Sequence, residues 1–149
     1  MHSFKMTTKM EQDLNRFIKA QENSYEEALS EIKSGRKRSH WMWYIFPQFK
    51  GLGISETSKY YSIKDLDEAK SYLNHPILGE RLKLITNELL ALNENNANKI
   101  FGSPDDLKLK SSMTLFAAIN ISKENIFNAV LDKYFNGQTD NKTLTLIKE

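Results

Sequence analysis

A single all-α domain is what this sequence predicts, and three observations carry that expectation. Apolar residues recur at helical rather than alternating spacing along most of the chain. Helix-start chemistry stands ahead of these stripes, most clearly at Ser103-Pro104-Asp105-Asp106. The length of 149 residues suits one domain, and no repeat, low-complexity tract or long linker divides it. The expected architecture is a compact bundle of about six or seven helices over residues 10–149, with a buried aromatic loop. Residues 1–9 are polar and are expected to form a flexible segment.

The first helix is read from Met10, with Leu14, Phe17, Ile18 and Gln21 on one stripe. Asn23 or Ser24 caps a second, in which Tyr25, Ala28, Leu29 and Ile32 repeat the spacing. Gly35 stops it, because glycine enters the left-handed C-terminal conformation cheaply. The pair is expected to form an antiparallel hairpin.

Residues 36–54, RKRSHWMWYIFPQFKGLGI, break the rhythm. The apolar run from Trp41 to Phe46 cannot lie on one stripe of a surface helix, so it is enclosed or lines a cavity. A short buried helix ending before Pro47, then a structured loop turning at Gly51 and Gly53, is expected. A helical turn follows at Ser58–Ser62, and Asp65 caps a short helix in DLDEAKSYL.

His75-Pro76 opens a central helix carrying Leu78, Leu82, Ile85, Leu89 and Leu92. NENNANK, residues 93–99, reads as a polar loop. Ser103 is the expected N-cap of the next helix and Pro104 its first residue, and the stripe reads Leu109, Met113, Phe116. Ile126 to Tyr134 makes another helix, ending at Gly137, and Asp140 begins a last one with Leu144 and Ile147.

Composition excludes several chemistries. Without cysteine there is no disulfide, thiolate metal site or thiol nucleophile. His2, His40 and His75 share no ligand spacing, so no metal and no cofactor is expected. Gly51-Leu52-Gly53 lacks the strand and the Lys-Ser/Thr of a phosphate loop. No apolar run approaches the roughly 20 residues that span a bilayer, so no membrane partner is expected. MHSFKMTTKM lacks the apolar centre of a secretory signal, and the chain is read as cytoplasmic. A formal charge of +2 is too small to argue for DNA binding.

Two constellations remain. Arg36-Lys37-Arg38-Ser39-His40-Trp41-Met42-Trp43 joins guanidinium forks, suited to phosphate, with indole faces, suited to a ring. Lys108-Leu109-Lys110-Ser111-Ser112-Met113-Thr114 places hydroxyls and ammoniums on an otherwise apolar helix. Bland alternatives stay open for both. The tryptophans can be core with the basic residues solvated. The hydroxyls can bond back to helix carbonyls, or to the loop holding Gln48.

Three stretches, GRKRSHWMWYIFPQFKGLG, YSIKDLDEAKSYLNHPILGERL and FGSPDDLKLKSSMTLFAA, closely resemble the signatures of a bacterial family catalogued as a domain of unknown function. Some members of that family carry a calpastatin label. The resemblance runs from about Leu14 to Leu146, with Phe49 where a leucine is expected and an unusual asparagine-rich loop at 93–98. It implies an all-helical fold and brings no catalytic residues. It also implies that the three segments meet, so that Arg38, His40, Trp41, Trp43 and Gln48 face Lys108, Ser111 and Ser112 across one cleft.

The functional expectation is a cleft for a small anionic metabolite, nucleotide or nucleotide-sugar in type. Arg36, Arg38 and Lys108 would meet phosphate, Trp41 and Trp43 would stack on the ring, and Gln48, Ser111 and Ser112 would give directional hydrogen bonds. If the protein is a hydrolase or transferase, His40 is the candidate for proton transfer. The rival expectation is a non-enzymatic module whose basic and aromatic segment, residues 33–49, binds a protein partner or RNA.

Overall fold

The structure, a computed structural model, describes residues 9–122 and 124–149. The expected flexible segment, Lys9 apart, and His2 lie outside these residues. The fold is all-α. Seven helices of eight residues or more carry the core: α1 (Lys9–Glu22), α2 (Tyr25–Lys33), α5 (Leu66–Asn74), α6 (Leu78–Ala91), α8 (Asp105–Ala118), α9 (Ile126–Phe135) and α10 (Asn141–Lys148). Three helices of four or five residues join them: α3 (Met42–Ile45), α4 (Glu56–Tyr60) and α7 (Ala97–Phe101).

The described residues thus hold ten helices rather than six or seven. The excess is short helices of four or five residues, which leave little apolar periodicity; α4 and α7 are fixed by side-chain caps at Ser55 and Asn96. Asn96 is the case in point: its Oδ1 accepts from Asn98 N at 2.9 Å and Lys99 N at 3.3 Å. That cap turns the expected polar loop into α7, which buries Ala97, Ile100 and Phe101.

The N-terminal hairpin is also corrected. α1 packs mainly on α3 and α5, while α2 packs mainly on α6. α6 in turn lies on α5 and α9, and α9 lies on α8. Helices α5 and α6 come so close that a Cβ on Gly79 would stand 1.9 Å from the Leu73 carbonyl oxygen. No side chain fits there. α6 starts at Leu78, two residues beyond Pro76, because His75 Nδ1 accepts from Ile77 N at 3.1 Å and Leu78 N at 3.2 Å.

The segment that breaks the helical rhythm is held at both ends. Before α3, the Glu31 carboxylate accepts from Arg38 N at 2.7 Å, Ser39 N at 3.0 Å, Ser39 Oγ at 2.6 Å and Trp41 Nε1 at 2.9 Å. After α3, an isolated parallel bridge joins Phe49 to Ile63. There Ile63 N donates to Gln48 O and Lys50 N donates to Ile63 O, both at 2.8 Å. Trp41, Met42, Ile45 and Phe46 are buried, while Trp43 and Tyr44 are half-buried. The apolar run is therefore both enclosed and cavity-lining, as its composition requires.

Candidate functional site

α8 starts later than its sequence suggests. Pro104, after a cis Ser103–Pro104 bond, occupies the N-cap position in place of Ser103, and Asp105 is the first helical residue. Asp105 is more than a dipole partner. Its Oδ1 pairs with Lys108 Nζ at 3.0 Å and its Oδ2 with Lys37 Nζ at 2.8 Å. Burial alone would raise its carboxyl, but the two ammoniums outweigh that and hold it below the usual range. One negative charge is shared by two positive ones. Asp106, the next residue, carries a second negative charge in the same first turn.

Lys108 also lies over the Trp43 indole, 3.9 Å from the ring centroid. That contact joins the aromatic segment to α8. Between them opens a cleft of about 230 Å³, whose polar lining is Trp43, Gln48, Lys108, Ser111, Asp140 and Lys142 and which Leu52, Gly53, Pro104 and Leu107 also line. Gly53 lets the loop lie flat against α4, since a Cβ there would come 2.4 Å from Ser58 Cβ.

Ser111 Oγ lies 3.0 Å from Asp140 Oδ2 and 3.2 Å from Leu107 O. Its single hydrogen goes to the carboxylate, the stronger acceptor. Asp140 Oδ2 also receives Thr143 N at 3.2 Å and the Thr143 hydroxyl, so the cap of α10 is fastened to α8. Asp140 N completes the junction by donating to Thr114 Oγ1 at 2.9 Å. Gln48 behaves differently. The residue is only 9% exposed and lines the cleft, yet its side-chain amide has no hydrogen bond among the described residues.

The first and third of the expected segments thus meet at this cleft, through Trp43, Gln48, Lys108 and Ser111, and no residue of the second, 61–82, lines it. Convergence is not realised for the other five predicted residues. Arg36, Arg38 and His40 are exposed and do not line the cleft. Their segment is pinned through Glu31 to the side of α2, which points these three side chains to solvent. Trp41 is 1% exposed, packs against Phe46 and Phe101, and donates its indole hydrogen to Glu31. It is core. Ser112 is fully buried, and its Oγ has no partner. One residue beyond Ser111 on a helix, it is rotated about 100° away from the cleft.

Asp105, Asp140 and Lys142 were not anticipated in the site. The two aspartates read from sequence as helix-start residues, which they are, and no local spacing ties them to Lys108 or Ser111. Among the described residues, no group of three or more His, Asp or Glu forms a metal cluster. No helix among them is long and apolar enough to cross a membrane.

Comparison with known proteins agrees with the fold and adds no activity. The crystal structure of the conserved hypothetical protein Rv1873 from Mycobacterium tuberculosis is 44% identical in sequence, with a TM-score of 0.89. The match covers 92% of this chain and 97% of that one. No curated protein matches the chain. The model of the protein family of unknown function DUF1810 matches residues 11–147. On that match, spanning nearly all of its length, the chain belongs to the DUF1810 family.

Proposed function

We propose that the cleft between the aromatic segment and α8 binds a small anionic ligand bearing a flat ring, of mononucleotide type. The observation that carries this reading is the joining, in one cleft, of an indole, an ammonium lying over it, and an amide with no partner in the protein. The Lys108 ammonium covers one indole face. A phosphate drawing it aside would offer a charge-assisted hydrogen bond in place of a cation–π contact worth about 0.5–1 kcal/mol. The same movement would free the indole for a ligand ring. Lys142 stands at the cleft as a second cation.

Size narrows the class. A volume of about 230 Å³ lies below the roughly 300–1,000 Å³ typical of drug-sized ligands. A ring and one phosphate suit it better than a whole nucleotide-sugar, whose remainder would extend past Leu107 into solvent. The reading is confined to binding, because His40 does not line the cleft.

A second reading rests on a separate observation: Arg36, Arg38 and His40 present an exposed basic edge on a well-anchored loop. That edge suits an acidic protein partner or RNA, and such binding weakens steeply with salt. Isothermal titration with nucleoside monophosphates and ADP-ribose-like compounds separates the readings. Wild type should give saturable heats that fall at least tenfold in affinity in Lys108→Met and persist in the Arg36→Ala, Arg38→Ala double variant. Absence of heat across the panel, or loss in the arginine variant alone, would overturn the cleft.

A further inference from the structure

The unspent amide of Gln48 has a consequence for what the cleft selects, given that the cleft is an anion-and-ring site. Gln48 is not free to turn away. Its backbone is fixed by the hydrogen bond from Ile63 N and by its place beside the Phe49–Ile63 bridge. Its side chain faces the main cleft on one side and a small void of about 10 Å³ beside Phe49, Ser58 and Tyr61 on the other. That void has room for about a single water and none for a ligand, so the main cleft is the side from which a ligand can reach the amide.

A primary amide offers two N–H donors beside an oxygen acceptor. Three other polar side chains on the cleft wall have partners within the protein: Lys108 on Asp105, Ser111 on Asp140, and Asp140 on Ser111 and Thr143. Lys142 is exposed and meets water. The Gln48 amide has no partner within the protein, and its atoms are open to water at the cleft. A ligand edge with a donor next to an acceptor pairs with it bidentately, as glutamine does with adenine.

We infer that Gln48 is the specificity-determining residue of the cleft, reading the donor–acceptor edge of a nucleobase, so that the ligand is a nucleoside monophosphate rather than a sugar phosphate or inorganic phosphate. A site built to hydrogen-bond such an edge disfavours ligands lacking it, because the amide would give up its water on binding and gain no partner in exchange.

The test titrates AMP, GMP, CMP, UMP and ribose 5-phosphate against wild type, Gln48→Met and Gln48→Leu. Methionine nearly conserves volume and removes an unmatched amide, so both variants are expected to fold, with thermal unfolding as the check. At least one base-bearing monophosphate should bind wild type tenfold or more tighter than ribose 5-phosphate. Stacking on Trp43 contributes to that margin in every form of the protein. The Gln48 share is the part lost in the variants, expected to be at least fivefold, while ribose 5-phosphate affinity stays within twofold. If ribose 5-phosphate and the nucleotides bind wild type equally, or the margin survives in both variants, the assignment to Gln48 is overturned and the anion cleft stands. If no phosphate compound binds wild type at all, the cleft reading itself fails.

Discussion

An Arg16→Met variant loses about 3–5 kcal/mol of folding stability, the cost of leaving a buried carboxylate without its cation. Glu68 is fully buried on α5, and the Arg16 guanidinium meets it with Nη2 at 3.0 Å from Oε1 and Nη1 at 3.2 Å from Oε2. The same guanidinium donates to the Tyr60 and Ser62 carbonyls, each at 2.8 Å, and to Asp13 O. It therefore ties α1 to the turn between α4 and α5. That turn carries Ile63, which fixes the backbone of Gln48. Against a total of about 5–15 kcal/mol the loss is large, and at this chain length it lowers Tm by roughly 10 °C. Urea unfolding of Arg16→Met, Glu68→Met and the double variant measures it. The double variant should be more stable than Arg16→Met alone, since no uncompensated charge remains. A loss below about 1 kcal/mol would mean the pair is worth no more than a solvated surface bridge.

Glu31→Ala is expected to cost about 3 kcal/mol, by a different route. One carboxylate there serves four donors, and Trp41 Nε1 is buried with no other acceptor to reach. Burial pushes the Glu31 carboxyl up, but the hydrogen bonds from Ser39, Arg38 and Trp41 outweigh it and hold it at about 2 against an ordinary 4.5. Because the folded value is depressed, the contribution is complete above the unfolded value. It drains away as pH falls from about 4.5 toward about 2. Over that window the group accounts for on the order of 3 kcal/mol. Chemical denaturation at pH 7, 4 and 3 should show wild type losing stability faster than Glu31→Gln. Parallel slopes for the two would contradict the assignment.

Glu31 also explains why the site was only partly legible in the sequence. Nothing local distinguishes it from Glu26 and Glu27, which are exposed on the same helix. Yet its burial turns Arg36, Arg38 and His40 outward and draws Trp41 into the core. A run of alternating basic and aromatic residues looks like a site whichever residues face the cavity. Only the anchor decides, and it stands in another element. Ser111 and Ser112 pose the same problem on a helix buried around most of its circumference. The stripe of Leu109, Met113 and Phe116 does not by itself set the orientation of α8, because Ser111, Ser112, Thr114 and Leu115 are buried as well, so either serine could have faced the cleft. Long helices were legible because their stripes and caps are local. α7 was not, because its cap, Asn96, sits among asparagines whose composition reads as loop.

The most direct test of the cleft uses the two indole N–H resonances of the protein as paired reporters. Trp41 is sealed in the core on Glu31, and Trp43 lies under Lys108 at the cleft. During titration with a nucleoside monophosphate, the Trp43 signal should shift saturably, together with the amides around Ser111, while the Trp41 signal stays in place. An unmoved Trp43 signal, or shifts confined to the amides near Arg36 and Arg38, would contradict the account.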